Sequence, residues 1–180
     1  MVLNYTECKE KYGNAYQINK AVGAGLIYKL EEGIYSEDKY ESDAAILSKK
    51  YPQAVFTGVY AFYLHGLTDY VPESYALATK SKAAPIADKR VEQVYTRDDL
   101  LMEGATTMPA EGIDILVYDK ERMLIELLRN KNKWPKDFYK EVLGRYRKII
   151  ESLEIWRIQD YIEKFPKSGM IRRSFDEEVL

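Results

Sequence analysis

Apolar residues follow two kinds of spacing along the chain, and each spacing predicts one kind of secondary structure. Apolar residues at helical spacing predict helices after Asp119, over 135–150 and about 153–164, and from Ser168 towards Val179. Shorter stretches, alternating or apolar throughout, predict strands at 54–56, 75–79, 91–96, 100–107 and 112–118. This mixture predicts an α/β mixed (α+β) fold in which a small mixed sheet is packed by helices.

The most apolar stretch is 54–79, which is predicted to form a strand, a helix, a turn and a second strand. Thr57 is placed to cap the helix, and Gly66 ends it. Apolar residues cover nearly all sides of this helix, so we expect it to be buried on several sides. The stretch contains His65, the only histidine, which is predicted to be half-buried and hydrogen-bonded at the helix end.

The N-terminal residues have the order helix, turn, helix and two-stranded ribbon. Thr6 is placed to cap a first helix that ends before Gly13, and Asn14 to cap a second over about 15–22. Strands at 26–30 and 33–36 follow, joined by a tight turn. This is the order of a winged helix-turn-helix, and we predict such a DNA-binding module over residues 1–37.

The second helix has a polar face suited to the major groove of DNA. Glutamine and asparagine pair with adenine edges, while lysine and tyrosine reach guanine or phosphate. The predicted DNA-binding residues are Tyr16, Gln17, Asn19 and Lys20 on this helix, and Lys29 on the ribbon.

Two observations count against DNA binding. Up to Tyr35, four lysines are balanced by four glutamates, so attraction to phosphate is weak. The module also has two helices before its ribbon, where a full winged helix has three. A degenerate module that no longer reads DNA therefore stays open as an alternative.

Length and composition are those of a soluble globular protein. The 180 residues, 46% hydrophobic and 31% charged, accommodate one ordinary domain or a small module and a second domain. A polar junction at 36–39 is the predicted boundary, with residues 38–180 as the C-terminal domain. No run approaches the roughly 18 apolar residues that span a bilayer, and charged residues stand near the N-terminus where a signal peptide needs an apolar stretch, so we expect none. We predict a cytoplasmic protein with no membrane partner.

Basic residues are concentrated between Arg129 and Lys148, where eight bases stand against two acids, although the whole chain has a net charge of −2. This asymmetry indicates a surface for an anionic partner, such as RNA, a nucleotide or additional DNA backbone, with a solvated helix face as the alternative. The predicted surface consists of Arg129, Lys131, Lys133, Lys140, Arg145, Arg147 and Lys148. Charge reversal at Arg145, Arg147 and Lys148 is expected to leave folding intact.

Motifs for catalysis, cofactors and metals are lacking. A nucleotidyltransferase needs Gly-Ser followed by Asp-x-Asp to hold two metal ions, and Asp98-Asp99 lacks that spacing. Walker, dinucleotide-binding and His/Cys ligand motifs are absent, and one cysteine, Cys8, excludes an internal disulfide. We predict no enzymatic activity, no catalytic residue, no cofactor and no metal.

Two hypothetical catalytic arrangements are the alternatives to that prediction. His65 with Ser48 or Cys8 would make a nucleophile–base pair, but nothing in the sequence brings them together. Asp114 with Glu126 would be a strand acid followed by a helix acid, as in nucleases, but no lysine follows at the spacing such sites use.

Three separated segments resemble the AbiEi family, the antitoxin half of abortive-infection AbiE systems. GLIYKLEEGIYS is similar to the wing of that family, and His65-Gly66-Leu67-Thr68 follows a buried helix as it does there. EGIDILVYDKERMLIELLRNK is similar to the family's strand leading into a Glu-Arg-Thr-Leu helix. Here Met123 stands where threonine is common, and Glu126 where aspartate is common. The segments keep the family's order, and the resemblance covers nearly the whole chain.

The resemblance implies an antitoxin of a type IV toxin–antitoxin system, used in phage defence. It implies an N-terminal module that binds inverted repeats of operator DNA and represses the operon. The C-terminal domain would counter a nucleotidyltransferase-like toxin without a stable complex. Two alternatives stay open: a DNA-binding transcriptional regulator with no antitoxin role, and a nucleic-acid-processing enzyme.

Overall fold

Eight α-helices and two β-sheets make up the structure, a computed structural model that describes residues 1–180. The strands are β1 (Val2–Asn4), β2 (Tyr28–Glu31), β3 (Ile34–Ser36), β4 (Val55–Thr57), β5 (Tyr75–Lys80), β6 (Val91–Thr96), β7 (Ala105–Ala110) and β8 (Ile113–Tyr118). The helices are α1 (Tyr5–Tyr12), α2 (Ala15–Gly23), α3 (Asp43–Lys50), α4 (Gly58–Leu64), α5 (Lys120–Arg129), α6 (Lys136–Ile149), α7 (Ile155–Lys164) and α8 (Ser168–Glu178). Short 3₁₀ helices occupy Lys131–Lys133 and Ile150–Ser152. The predicted mixed α/β class is confirmed.

Contacts divide these elements into two units. The N-terminal unit comprises Met1–Ala54 and Thr107–Ile115, and the C-terminal unit comprises Val55–Thr106 and Leu116–Leu180. The predicted boundary between residues 37 and 38 stays a prediction; by contacts, the N-terminal unit continues through α3, because that helix packs on β1 and β3. None of the eight helices has the length and apolar surface that a bilayer-spanning segment needs.

A three-stranded antiparallel sheet in the order β1-β3-β2 organises the N-terminal unit. Successive residues of a strand point to opposite faces, and here each face has a core of its own. One core, which includes α3, contains Val2, Ile34, Ala45 and Ile46. The other, which includes α1 and α2, contains Leu3, Cys8, Ile18, Ala21, Ile27 and Tyr35. Helices therefore cover both faces of the sheet.

The sequence pattern does not predict β1, and this strand changes where α1 begins. Asn4 ends β1 and caps α1: its side chain accepts a hydrogen bond from the Glu7 N–H (2.9 Å), and the Glu7 carboxylate accepts one from the Asn4 N–H (2.8 Å). This capping box stands in place of the predicted cap at Thr6. The predicted cap of α2 is confirmed, since the Asn14 side chain accepts from the Gln17 N–H at 3.0 Å.

The strands β4, β5 and β6 of the C-terminal unit belong to a five-stranded mixed sheet in the order β6-β5-β4-β8-β7. β4 and β5 are antiparallel, whereas β5–β6 and β4–β8 are parallel pairs. α5 is the central helix of this unit and contacts α4, α6, α7 and α8. Its residues Met123, Leu124, Leu127 and Leu128 are buried, as their spacing predicts.

Two predicted details of the C-terminal unit are wrong. The strand expected at 100–107 begins only at Ala105, because the residues before it turn to place two carbonyl oxygens on the Arg122 side chain. Thr57 makes no side-chain capping bond; its hydroxyl lies 3.6 Å from the sulfur of Met123. Trp156, on α7, is 65% exposed.

Gly58 is required where β4 leads into α4. Its φ is +62°, and a Cβ built on it would lie 2.8 Å from the Cβ of Ala76. We expect Gly58→Ala to lower the free energy of unfolding by about 1–3 kcal/mol, through both backbone strain and overlap. Denaturant unfolding measures the change.

Gly144, within α6, is the matched control for that substitution. A Cβ built there meets no atom within 4 Å, and alanine favours a helix by up to about 1 kcal/mol over glycine. Gly144→Ala should therefore be neutral or stabilising. Equal loss of stability in the two variants would contradict the special role of Gly58.

Candidate functional site

The predicted DNA-binding residues are on the solvent side of their elements. Ile18 and Ala21 of α2 are buried, and this fixes which side of the helix faces outward. The exposed residues are Tyr16, Gln17, Asn19 and Lys20 on α2 and Lys29 on β2. Tyr16 is 71% exposed.

Lysines pair with three of the four glutamates that offset the basic charge of the first 35 residues. The pairs are Glu7–Lys49 (2.6 Å), Glu31–Lys50 (3.0 Å) and Glu32–Lys29 (2.6 Å). Lys49 and Lys50 belong to α3, which lies beyond the 35 residues whose lysines and glutamates balance. Lys20 makes no ion pair, so its charge is available on the outer side of α2, whereas Lys29 is held by its neighbour.

Contacts divide the predicted basic surface into held and free residues. Four of its residues have a partner. Arg129 pairs with Glu126, and Lys131 pairs with the Glu178 carboxylate. Arg145 pairs with Asp69 and Glu141, and Arg147 donates to the Glu178 carbonyl oxygen. Lys133, Lys140 and Lys148 are exposed and make no ion pair. Reversing the charge of Arg145 or Arg147 would break these surface contacts, which are typically worth up to about 1 kcal/mol each; the expectation that such a reversal leaves folding intact stays a prediction.

Arg122 is fully buried at the centre of the C-terminal unit. Its Nη1 donates to the carbonyl oxygens of Leu100 (2.9 Å) and Glu103 (2.8 Å), and its Nε donates to Glu126 Oε1 (3.0 Å). A buried guanidinium is tolerated only when it is paired and hydrogen-bonded in this way. The helical spacing of α5 gives no signal of it, because a lone arginine in an amphipathic helix is normally solvent-exposed.

Glu126 is the only carboxylate that pairs with Arg122 or Arg129. The Nη1 of Arg129 lies 3.2 Å from Glu126 Oε1, and the side-chain amide of Asn130 donates to Oε2 at 3.1 Å. Two guanidinium groups thus share a single negative charge. Arg122, Arg129 and Glu126 together therefore carry a net positive charge.

Two adjoining cavities open beside Glu126 in the C-terminal unit. The large chamber has a volume of about 470 Å³ and the small chamber about 210 Å³. Both are lined by Thr57, Val94, Glu126, Asn130 and Lys133. Sequence reasoning does not find this cleft, because its walls come from β4, β6 and the end of α5, which are far apart along the chain.

His65 ends α4 half-buried, and its Nε2 lies 2.7 Å from the carbonyl oxygen of Tyr118. Since a carbonyl only accepts, Nε2 carries the proton and donates it. Burial lowers the pKa of His65, partly opposed by this hydrogen bond. The predicted half-buried, hydrogen-bonded position is confirmed.

The hypothetical catalytic groups are each occupied or isolated. Cys8 is fully buried, and the Ser48 hydroxyl donates to the Ala45 carbonyl oxygen at 2.8 Å. Asp114 is exposed, while Glu126 is engaged by arginines. No group of three or more His, Cys, Asp and Glu side chains is placed to hold a metal ion. The absence of enzymatic activity stays a prediction.

No protein-family model matches the chain, and a search of the curated proteins finds no relative. The resemblance to the AbiEi family therefore rests on the three segments of the sequence.

The hydrogen bond of His65 predicts a defined dependence of stability on pH. The unfolded chain binds a proton with a pKa of about 6.5 and the folded chain with a lower one. The stabilisation from neutral His65 is therefore complete above about pH 6.5 and is lost as the pH falls through the folded-state pKa. We expect wild type to lose stability more steeply than His65→Gln between about pH 7 and pH 5; parallel curves in thermal unfolding would contradict this.

Proposed function

We propose that the protein is a DNA-binding antitoxin of a type IV toxin–antitoxin system, similar to the AbiEi family, which represses its own operon. The observation that carries the proposal is the exposed polar side of α2, held by its Asn14 cap and its buried opposite side, and followed by the β2–β3 ribbon. Tyrosine, glutamine, asparagine and lysine on one helix side supply donors and acceptors for base edges and phosphates.

The arrangement of the N-terminal unit supports a winged-helix-like module. α1 and α2 pack on one face of the sheet, and the N-terminal strand β1 pairs with β3 of the ribbon. α3 follows the ribbon and covers the opposite face, whereas a full winged helix has three helices before its wing. The module therefore has a third helix, but in a different place along the chain.

Electrostatics favours binding by more than one copy. The free lysine of α2, Lys20, supplies little of the phosphate neutralisation from which DNA-binding proteins gain most of their affinity. Two copies on inverted repeats would double the contacts and raise the effective concentration of the second module. Binding to repeated half-sites in its own promoter is the expected mode.

The base-reading role of α2 has a direct test. Replacing Gln17 and Asn19 by alanine should weaken binding to the promoter repeats by about 1–3 kcal/mol for each lost base contact, while binding to unrelated DNA persists. Gel shifts with promoter DNA and a scrambled duplex measure this difference. Gln53→Ala, which changes an exposed glutamine outside α2, is the control, and an unchanged sequence preference in the double variant would rule out α2 as the reading helix.

Antitoxin activity is assigned to the C-terminal unit, where Lys140 and Lys148 offer unpaired charge on the exposed side of α6. We expect Lys140→Glu with Lys148→Glu to change the free energy of unfolding by less than about 0.5 kcal/mol, since neither side chain makes an ion pair. The same change should impair protection of cells that co-express the nucleotidyltransferase-like toxin that this proposal requires.

Lys82→Glu with Lys89→Glu makes the same change of charge on exposed residues elsewhere in this unit and is the matched control. Full protection by both double variants would show that Lys140 and Lys148 lie on a solvated helix face. A protein that binds its promoter but never protects against the toxin would be a transcriptional regulator, which is the second candidate.

A further inference from the structure

The two chambers beside Glu126 carry opposite charge. The small chamber is lined by three cations, Arg97, Arg129 and Lys133, against the single carboxylate of Glu126. The large chamber is lined by the carboxylates of Glu73, Glu92 and Glu126 against Lys133 alone. A ligand that fits both chambers would need an anionic end and an end rich in hydrogen-bond donors.

The positive charge of the small chamber is not matched within the protein. Arg97 pairs with Asp99 (2.6 Å), but Arg129 shares Glu126 with the buried Arg122, and Lys133 has no ion pair. A partly buried Arg129 and an exposed Lys133 that together outnumber their acids favour a bound anion, which gains charge-assisted hydrogen bonds from both side chains.

Two buried polar atoms on the cleft walls lack adequate partners. Thr57 is 5% exposed and lines both chambers, yet its hydroxyl contacts only the sulfur of Met123, a weak acceptor. Trp134 lines the large chamber, and its Nε1 is buried with no hydrogen-bond partner. Polar groups left in this state are uncommon in folded proteins and call for an explanation.

The large chamber has the lining expected for a planar base. Tyr70 and Trp134 are beside the apolar side chains of Val59, Pro72 and Ala76. Aromatic side chains give a nucleobase a stacking surface, and carboxylates accept from ribose hydroxyls or from the amino groups of a base. Its volume lies within the range of about 300–1,000 Å³ that is usual for small-ligand sites.

We propose that the C-terminal unit binds a nucleoside monophosphate, with the phosphate in the small chamber at Arg129 and Lys133 and the base in the large chamber beside Trp134. The site lies wholly within the C-terminal unit, so this proposal does not depend on DNA binding by α2. Arg129 and Lys133 then belong to this cleft, and Lys140 and Lys148 to the outer basic surface.

Tryptophan fluorescence offers a local probe of binding. The chain has two tryptophans, and Trp156 is exposed on α7, so Trp156→Phe leaves Trp134 as the only reporter. Titration of the full-length variant with AMP, GMP, CMP and UMP should give saturable quenching with at least one of them. Isothermal titration of the wild-type protein with the same nucleotides gives a second readout that does not depend on the position of Trp134.

Ligands that lack either the phosphate or the base test the contribution of each chamber. The matching nucleoside without phosphate, and inorganic phosphate without a base, should each bind at least about tenfold more weakly than the nucleotide. Lys133→Ala should weaken nucleotide binding about tenfold, the loss expected for one charge-assisted hydrogen bond. Lys89→Ala, which changes an exposed lysine that does not line the cleft, is the matched control and should bind as wild type.

Three outcomes would overturn the proposal. They are the absence of saturable binding in both assays, equal affinity for inorganic phosphate and nucleotide, and equal effects of Lys133→Ala and Lys89→Ala. Thr57→Val, which removes the buried hydroxyl and keeps the side-chain shape, should also lower affinity for the nucleotide. Circular dichroism of each variant separates such a loss from unfolding.

Discussion

The C-terminal unit depends on one buried positive charge. The guanidinium of Arg122 lies 4.2 Å from the ring centre of Tyr118 and 4.1 Å from that of Phe165, so β8, α5 and the end of α7 meet at this group. Leaving such a charge unpaired would cost several kcal/mol, and here Glu126 and two carbonyl oxygens offset that cost. The close packing extends to Gly104, whose φ is +76° and where a Cβ would lie 2.5 Å from the Cβ of Arg122.

The charge of Arg122 also affects the cleft, because Glu126 pairs with the buried Arg122 and with the partly exposed Arg129. Because the carboxylate of Glu126 already compensates the charge of Arg122, it does not fully compensate that of Arg129 in the small chamber. In the N-terminal unit, lysines of α3 neutralise glutamates of the first 35 residues. Lys20 of α2 is therefore left without an acidic partner. In both units the candidate binding surface is where a cation lacks a partner inside the protein.

Local patterns in the sequence predicted most elements but not what depends on distant contacts. Helical spacing identified α5, and the polar cap at Asn14 identified the start of α2, because both signals lie within a few residues. The strand β1 is only three residues long and is stabilised by pairing with β3, so no local signal marks it. The burial of Arg122 and the cleft also arise from distant segments. The outer side of α2 was predictable, since the buried positions of a helix determine its exposed ones.

The N-terminal unit is discontinuous, and this bears on how it folds during synthesis. Its second part, Thr107–Ile115, contributes Ile113 to the core beneath α3. That residue leaves the ribosome roughly 60 positions after Ala54, a delay of about 3–12 s at ordinary translation rates. Until then the face of the sheet that carries α3 is incomplete, while the face that carries α1 and α2 has all its core residues. The side of the unit that bears the proposed DNA-reading helix can therefore form first, and the side bearing α3 is completed only once the β7–β8 hairpin has been made.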